Sequence, residues 1–398
     1  MDKRNVTFQW AQLLVLSGVH FLADMFASML PAILPPIRDE FSLSLSLGGA
    51  IIVVMTFASN SVQVFTGHTR AESSRPLLLH VGLVLGASIC FLSVLPRQSG
   101  AFGLMVLLAT VSGCGVGIAH PEGLRAIHAL ERIPSSVSTG IFMSGGFVGF
   151  AAGGAVSTIL VSRFGLAGLY PLALLPFGAI LLILLLRIRL AVEPGVNSAN
   201  GGESRAGGRL PFRLIMAMTV PAGISTTIIA HLLPTVLNEA GFELTFGGYS
   251  MTVYGLGGAL GSFLWGAFAH RRGALGCSIA ANLLTVPVLV LYLVFLKTRP
   301  AVGLLAGAGF FSFAAYILMI TLARDSAGPN LGRRMGFVVG GNWAFASLVF
   351  LALLPVAERV GTRVVLDFSI LGYVVSGFLG LLLLLRIRRS PERRQGGG

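Results

Sequence analysis

The chain has 398 residues, 55% of them apolar and only 11% charged, and its mean hydropathy is +0.86. A soluble domain carries about 25% charged residues, so a water-soluble globule is excluded. The net charge of +13 would suit nucleic acid if it formed one patch, but the basic residues are dispersed between apolar runs, and no nucleic-acid partner is expected.

A helix of about 20 apolar residues crosses a ~30 Å hydrocarbon core. In chain order such runs predict twelve spans, at 10–34, 45–66, 77–95, 101–119, 136–161, 166–186, 213–237, 246–268, 274–296, 301–322, 335–356 and 364–385. Stretches such as Leu181-Leu-Ile-Leu-Leu-Leu186 lack the two-residue alternation of a membrane strand. The expected fold class is therefore an all-α polytopic membrane protein. The first run is too long for a signal peptide and holds polar residues at its centre, so it is read as the first span.

Basic residues gather at the N-terminus and in every second connection, and only about seven of the 28 lie in the others. The positive-inside rule then puts both termini in the cytoplasm of a multi-pass protein, with membrane lipid as its surroundings. Cys90, Cys114 and Cys277 have neither disulfide nor metal spacing, and His120-Pro-Glu122 lacks the P-C-x-x-C partner of zinc deaminases. No metal, cofactor or catalytic residue is expected.

Residues 191–212 form a polar Gly/Ser/Asn-rich linker. It divides the chain into an N-terminal six-helix bundle (1–190) and a C-terminal one (213–385), followed by a basic tail (386–398). The halves echo one another at an offset near 200: Arg125 follows span four as Arg324 follows span ten, and Phe142-Met-Ser-Gly-Gly146 matches Phe337-Val-Val-Gly-Gly341. Two parallel repeats enclosing a central path are expected.

Charges at bilayer depth cost roughly 2.5–3.5 kcal/mol and so mark function. His20 and Asp24 are four apart, on one face of span one. At 1.5 Å per residue from Trp10 they lie about 15 and 21 Å along the helix, at hydrocarbon depth. A desolvated carboxylate beside an imidazole can couple transport to protons; the alternatives are a structural pair or a substrate contact. Pro121 is expected to bend or end span four, placing His120, Glu122 and Arg125 near the cytoplasmic boundary. That trio is read as gating or substrate admission, against an interfacial ion pair or proton transfer through Glu122. His128 is read as a loop residue. Gln63, Ser144, His231 and Asn342 are candidates to line a cavity. Gly145, Gly146, Gly149, Gly340 and Gly341 are read as helix-packing glycines.

The chain resembles the major facilitator superfamily, in its fosmidomycin-resistance branch. The resemblance rests on His20-Phe-Leu-x-Asp24-Met25, Arg38-Asp-Glu-Phe-Ser-Leu, His120-Pro-Glu-x-x-Arg125, the span with Gly145, Gly146 and Gly149, and Leu331-Gly-Arg-Arg-Met-Gly336. It implies the twelve-helix, two-repeat facilitator fold in a bacterial inner membrane, alternating access, and efflux of a drug-like small molecule driven by protons from a monomer. Uptake or exchange of a small organic solute, and a non-transporting membrane sensor, are the alternative readings. The family's loop Asp is replaced by Ala71 in one half and His270 in the other, with Glu72 a possible stand-in.

Overall fold

The computed structural model describes residues 3–69, 73–97, 101–192, 210–328 and 331–389. Most of the linker, the end of the tail, Ala71 and Glu72 lie outside them. The described residues fold into helices with no strand. With no water in the hydrocarbon, each segment must satisfy its own backbone hydrogen bonds, and the helix does so.

The first six spans are α1 (Lys3–Ala32), α2 (Leu45–Thr69), α3 (Leu77–Val94), α4 (Ala101–His128), α5 (Ser135–Phe164) and α6 (Leu166–Leu185). A short helix, Leu34–Phe41, follows α1, and α3 and α6 each contain a 3₁₀ stretch. The second six begin with α7 (Phe212–Glu239), α8 (Leu244–Arg272), α9 (Ala274–Val294) and α10 (Val302–Arg324). Then α11 runs from Leu331–Gly336 through a π turn, Phe337–Gly341, into Asn342–Val360, and α12 joins Thr362–Asp367 to Ser369–Arg389. Eleven of these segments are apolar and long enough to cross a membrane. The other, α8, has seven glycines and a His270-Arg-Arg end that dilute its hydropathy, yet it is a 29-residue helix packed between α5 and α10.

The packing repeats. In the first half α1 lies on α5, and α4 on both α2 and α3; in the second, α7 lies on α11, and α10 on both α8 and α9. The halves meet along α5–α8 and α2–α11. Close backbone approach makes the core: a Cβ on Gly154 of α5 would lie 3.0 Å from the Gly248 carbonyl of α8.

Polar ties join the halves at the end of the bundle away from the chain termini. Glu358, near the end of α11, accepts the Ser46 backbone N–H at 2.7 Å, at the N-terminus of α2. Arg38 pairs with Glu239 at 3.7 Å; deeper along the α5–α8 contact, Thr252 of α8 donates to the Ala151 carbonyl of α5 at 2.5 Å.

The fourth span runs furthest past its predicted end. Pro121 does not end α4; the helix continues to His128, which is an exposed helical residue and not part of a loop. A single missing N–H is tolerated where neighbouring helices hold the segment in place.

Candidate functional site

Asp24 of α1 is met by two histidines from different helices. His20 Nε2 lies 3.3 Å from Asp24 Oδ2, one helical turn away, and His120 Nε2 of α4 lies 2.9 Å from Asp24 Oδ1. The rings of His20 and His120 meet edge-on, 5.0 Å apart. His20 is sealed at 4% exposure, whereas the side chains of Asp24 and His120 keep 25% and 20%. The Asp24–His120 side is therefore the less enclosed side of the cluster.

Glycine makes room for it. An added Cβ on Gly146 of α5 would sit 2.5 Å from both Asp24 Oδ2 and His20 Cε1. Gly145 and Gly149 press in turn on the backbone of Ser17 and Phe21, so α5 lies directly against the α1 face that carries the cluster. Ser17 Oγ donates to the Ile141 carbonyl at 3.0 Å, and the His20 ring stacks on Phe142 at 4.3 Å.

The hydrogen bonds set the tautomers. His20 Nδ1 faces the Phe142 carbonyl at 2.8 Å, and His120 Nδ1 faces the Val116 carbonyl at 2.8 Å. A carbonyl only accepts, so each Nδ1 carries a hydrogen. A neutral imidazole of that tautomer points its Nε2 lone pair at Asp24, and an ionised carboxylate only accepts. Each N···O contact thus needs a proton between its partners: one added proton satisfies one contact, and two satisfy both.

His120 therefore stands with Asp24 rather than with Glu122 and Arg125. Those two form a separate pair at 2.8 Å, with Glu122 buried. Arg125 also donates to the carbonyls of Ser73, at 2.8 Å, and Ala191, at 3.0 Å. The pair binds the end of α4 to the segment before α3 and to the start of the linker after α6.

The cavity candidates separate. Gln63 is half-buried and reaches Ser59 Oγ at 3.4 Å; Ser144 is exposed and turns back to its own helix at the Gly140 carbonyl. His231 packs edge-on against Phe350 at 5.1 Å and is half-buried. Asn342 is fully buried, and a Cβ on Gly223 of α7 would come 2.5 Å from its amide. Gly340 and Gly341 belong to the π turn just before it.

A further polar group lies in the second half, and of its members only Tyr316 stands out in the sequence as a polar residue at membrane depth. A narrow cavity is lined by Thr219, Thr226, Asn282, Ser312, Tyr316 and Trp343. Trp343 Nε1 donates to Tyr316 Oη at 2.8 Å, and the hydroxyls of Thr226 and Tyr373 are bonded at 2.8 Å. Hydroxyls spread over three helices leave no local pattern; the only cue is a scatter of Thr, Ser and Tyr in apolar runs.

Comparison with known proteins agrees with this architecture. The family model described as Major Facilitator Superfamily matches residues 16–330. The chain is 23% identical over 390 residues to an uncharacterized MFS-type transporter, YfnC, of Bacillus subtilis (strain 168), covering 93% of this chain and 92% of that one. It is 29% identical over 146 residues to the fosmidomycin resistance protein of Escherichia coli (strain K12), a match spanning 37% of this chain and 35% of that protein.

Proposed function

The chain belongs to the major facilitator superfamily, and we propose that it is a proton-coupled secondary transporter that exports a small organic compound by alternating access. The observation that carries this reading is the Asp24–His20–His120 cluster, whose Nε2–carboxylate contacts are completed only by protons the solvent can add or remove. It lies at membrane depth, where an uncompensated carboxylate is costly, so loading and unloading protons changes the free energy of the bundle by several kcal/mol. The α1–α5 contact beside it transmits the change, because Gly146 and the Phe142 carbonyl touch the cluster directly.

Residues 1–190 and 213–385 are then the two rocking units, with 191–212 as the linker between them. The ties Glu358–Ser46 and Arg38–Glu239 close the end away from the termini. With both termini cytoplasmic in a bacterial inner membrane, as the arginine distribution favours, that closed end is external. On this reading the cluster releases its protons to the cytoplasm. A drug-like cargo is favoured by the likeness to the fosmidomycin resistance protein.

The test is flux in proteoliposomes with an imposed pH gradient, screened over phosphonates, aromatic compounds and lipophilic drugs. Accumulation of one of them that collapses with a protonophore supports the reading. Flux indifferent to the gradient contradicts it.

A further inference from the structure

Two histidines and an aspartate with converging free atoms can hold more than protons. The nearest ring and carboxylate atoms of His20, Asp24 and His120 all lie within 4.8 Å of one another. We propose that these three side chains form a binding site for one divalent transition-metal ion of the Zn²⁺ class, which replaces the protons of the cluster.

Three observations converge on this. The ligand set, two imidazoles and one carboxylate, suits ions such as Zn²⁺, Co²⁺ and Ni²⁺ and leaves further positions for water. The spacing is close to what such an ion needs: bonds of 2.0–2.1 Å place tetrahedral ligands about 3.3 Å apart, the two Nε2 atoms lie 3.3 and 2.9 Å from different oxygens of Asp24, and the widest separation in the set, within 4.8 Å, closes by a small movement of one ring. The outer supports are in place as well. A metal-bound histidine usually gives its other N–H to a carbonyl or carboxylate, and both Nδ1 atoms here face backbone carbonyls at 2.8 Å. Each Nε2 lone pair is thereby turned inward on the carboxylate. The partly open Asp24 and His120 provide a way in, and Gly146 leaves the space that any larger residue would fill.

The metal also has a consequence for transport, which rests on the proton reading above. An ion bridging α1 and α4 occupies the atoms that must exchange protons, so Zn²⁺ inhibits gradient-driven flux.

Binding is tested on the full chain in detergent micelles, free of any histidine tag. ZnCl₂ is titrated calorimetrically at fixed pH, and Co²⁺ is followed by its visible absorption. The expected result is one ion per chain, with Zn²⁺ displacing Co²⁺. Asp24→Asn and His120→Gln should each weaken binding about 10- to 100-fold, while His231→Gln leaves it unchanged. Absence of saturable binding, or binding indifferent to both cluster variants, overturns the proposal. Should a variant fail to fold, zinc-edge X-ray absorption of the unmodified protein decides: two imidazoles in the shell support the site, and none overturns it. Because binding is read without flux, a chain that fails to bind Zn²⁺ but couples to protons sinks only the metal site. One that binds Zn²⁺ but ignores the pH gradient sinks only the proton reading.

Discussion

His120 Nε2 lies 2.9 Å from Asp24 Oδ1, although 96 residues separate them in the chain. The contact joins α4 to α1 and turns a pair within one helix into a three-residue cluster between two. It also ranks the histidines, because His120 makes the shorter contact and is the more exposed. Removing a hydrogen bond to a charged group costs about 1.5–3 kcal/mol. His120→Gln should therefore slow gradient-driven transport by roughly 10- to 100-fold, and His20→Gln by less. Initial rates in proteoliposomes across a range of pH check the order; equal rates for the two variants would remove His120 from the cluster's function.

Gly146→Ala tests the α1–α5 contact. The new methyl would sit 2.5 Å from Asp24 Oδ2, and overpacking of this kind costs about 1–3 kcal/mol. Transport should fall at least tenfold while the protein still inserts and purifies as a single species. Ser144→Ala, on an exposed side chain of the same helix, should transport normally. Full activity in Gly146→Ala would show that the cluster can move away from α5.

Glu122 and Arg125 should behave as a structural clasp. Leaving one charge of a buried pair unpartnered costs about 3–5 kcal/mol, so Glu122→Gln and Arg125→Ala should each lower the thermal unfolding temperature clearly. Exchanging the two residues should not rescue stability. A glutamate at 125 cannot donate to the carbonyls of Ser73 and Ala191 as the guanidinium does. Recovery of stability in the exchange would show that charge pairing alone matters.

Much of this was legible in the sequence because lipid imposes a simple rule: long apolar runs become helices, and a polar residue inside one needs a reason. Asp24 and His20 stood out that way, as did the packing glycines of α5. What could not be read locally was which polar residues meet. Proximity in sequence groups His120 with Glu122 and Arg125, and Pro121 there predicts a bend or an end of the span. The helix instead continues through the proline, with the His120 ring on the Val116 carbonyl. Asn342 is only a candidate from the glycines before it; the π turn that ends at Gly341 and the close approach of Gly223 have no local sequence signal.

Orientation can be read with single cysteines in a background lacking Cys90, Cys114 and Cys277. Cysteines at 39 and 241, at the end where Arg38 and Glu239 pair, should react with impermeant thiol reagents in intact cells. One at 187, beyond the end of α6, should stay shielded until the membrane is opened. Labelling at 187 from outside would invert the proposed topology.

Asp24→Asn is the most direct test of proton coupling, since the amide keeps the size of the side chain and removes its charge and titration. The purified variant should fold, yet fail to concentrate a transported compound when a pH gradient is imposed, while exchange of that compound across the bilayer without net proton movement persists. If the variant concentrates the compound as well as the unmodified protein does, Asp24 is not the residue that couples protons to transport, and the central claim fails.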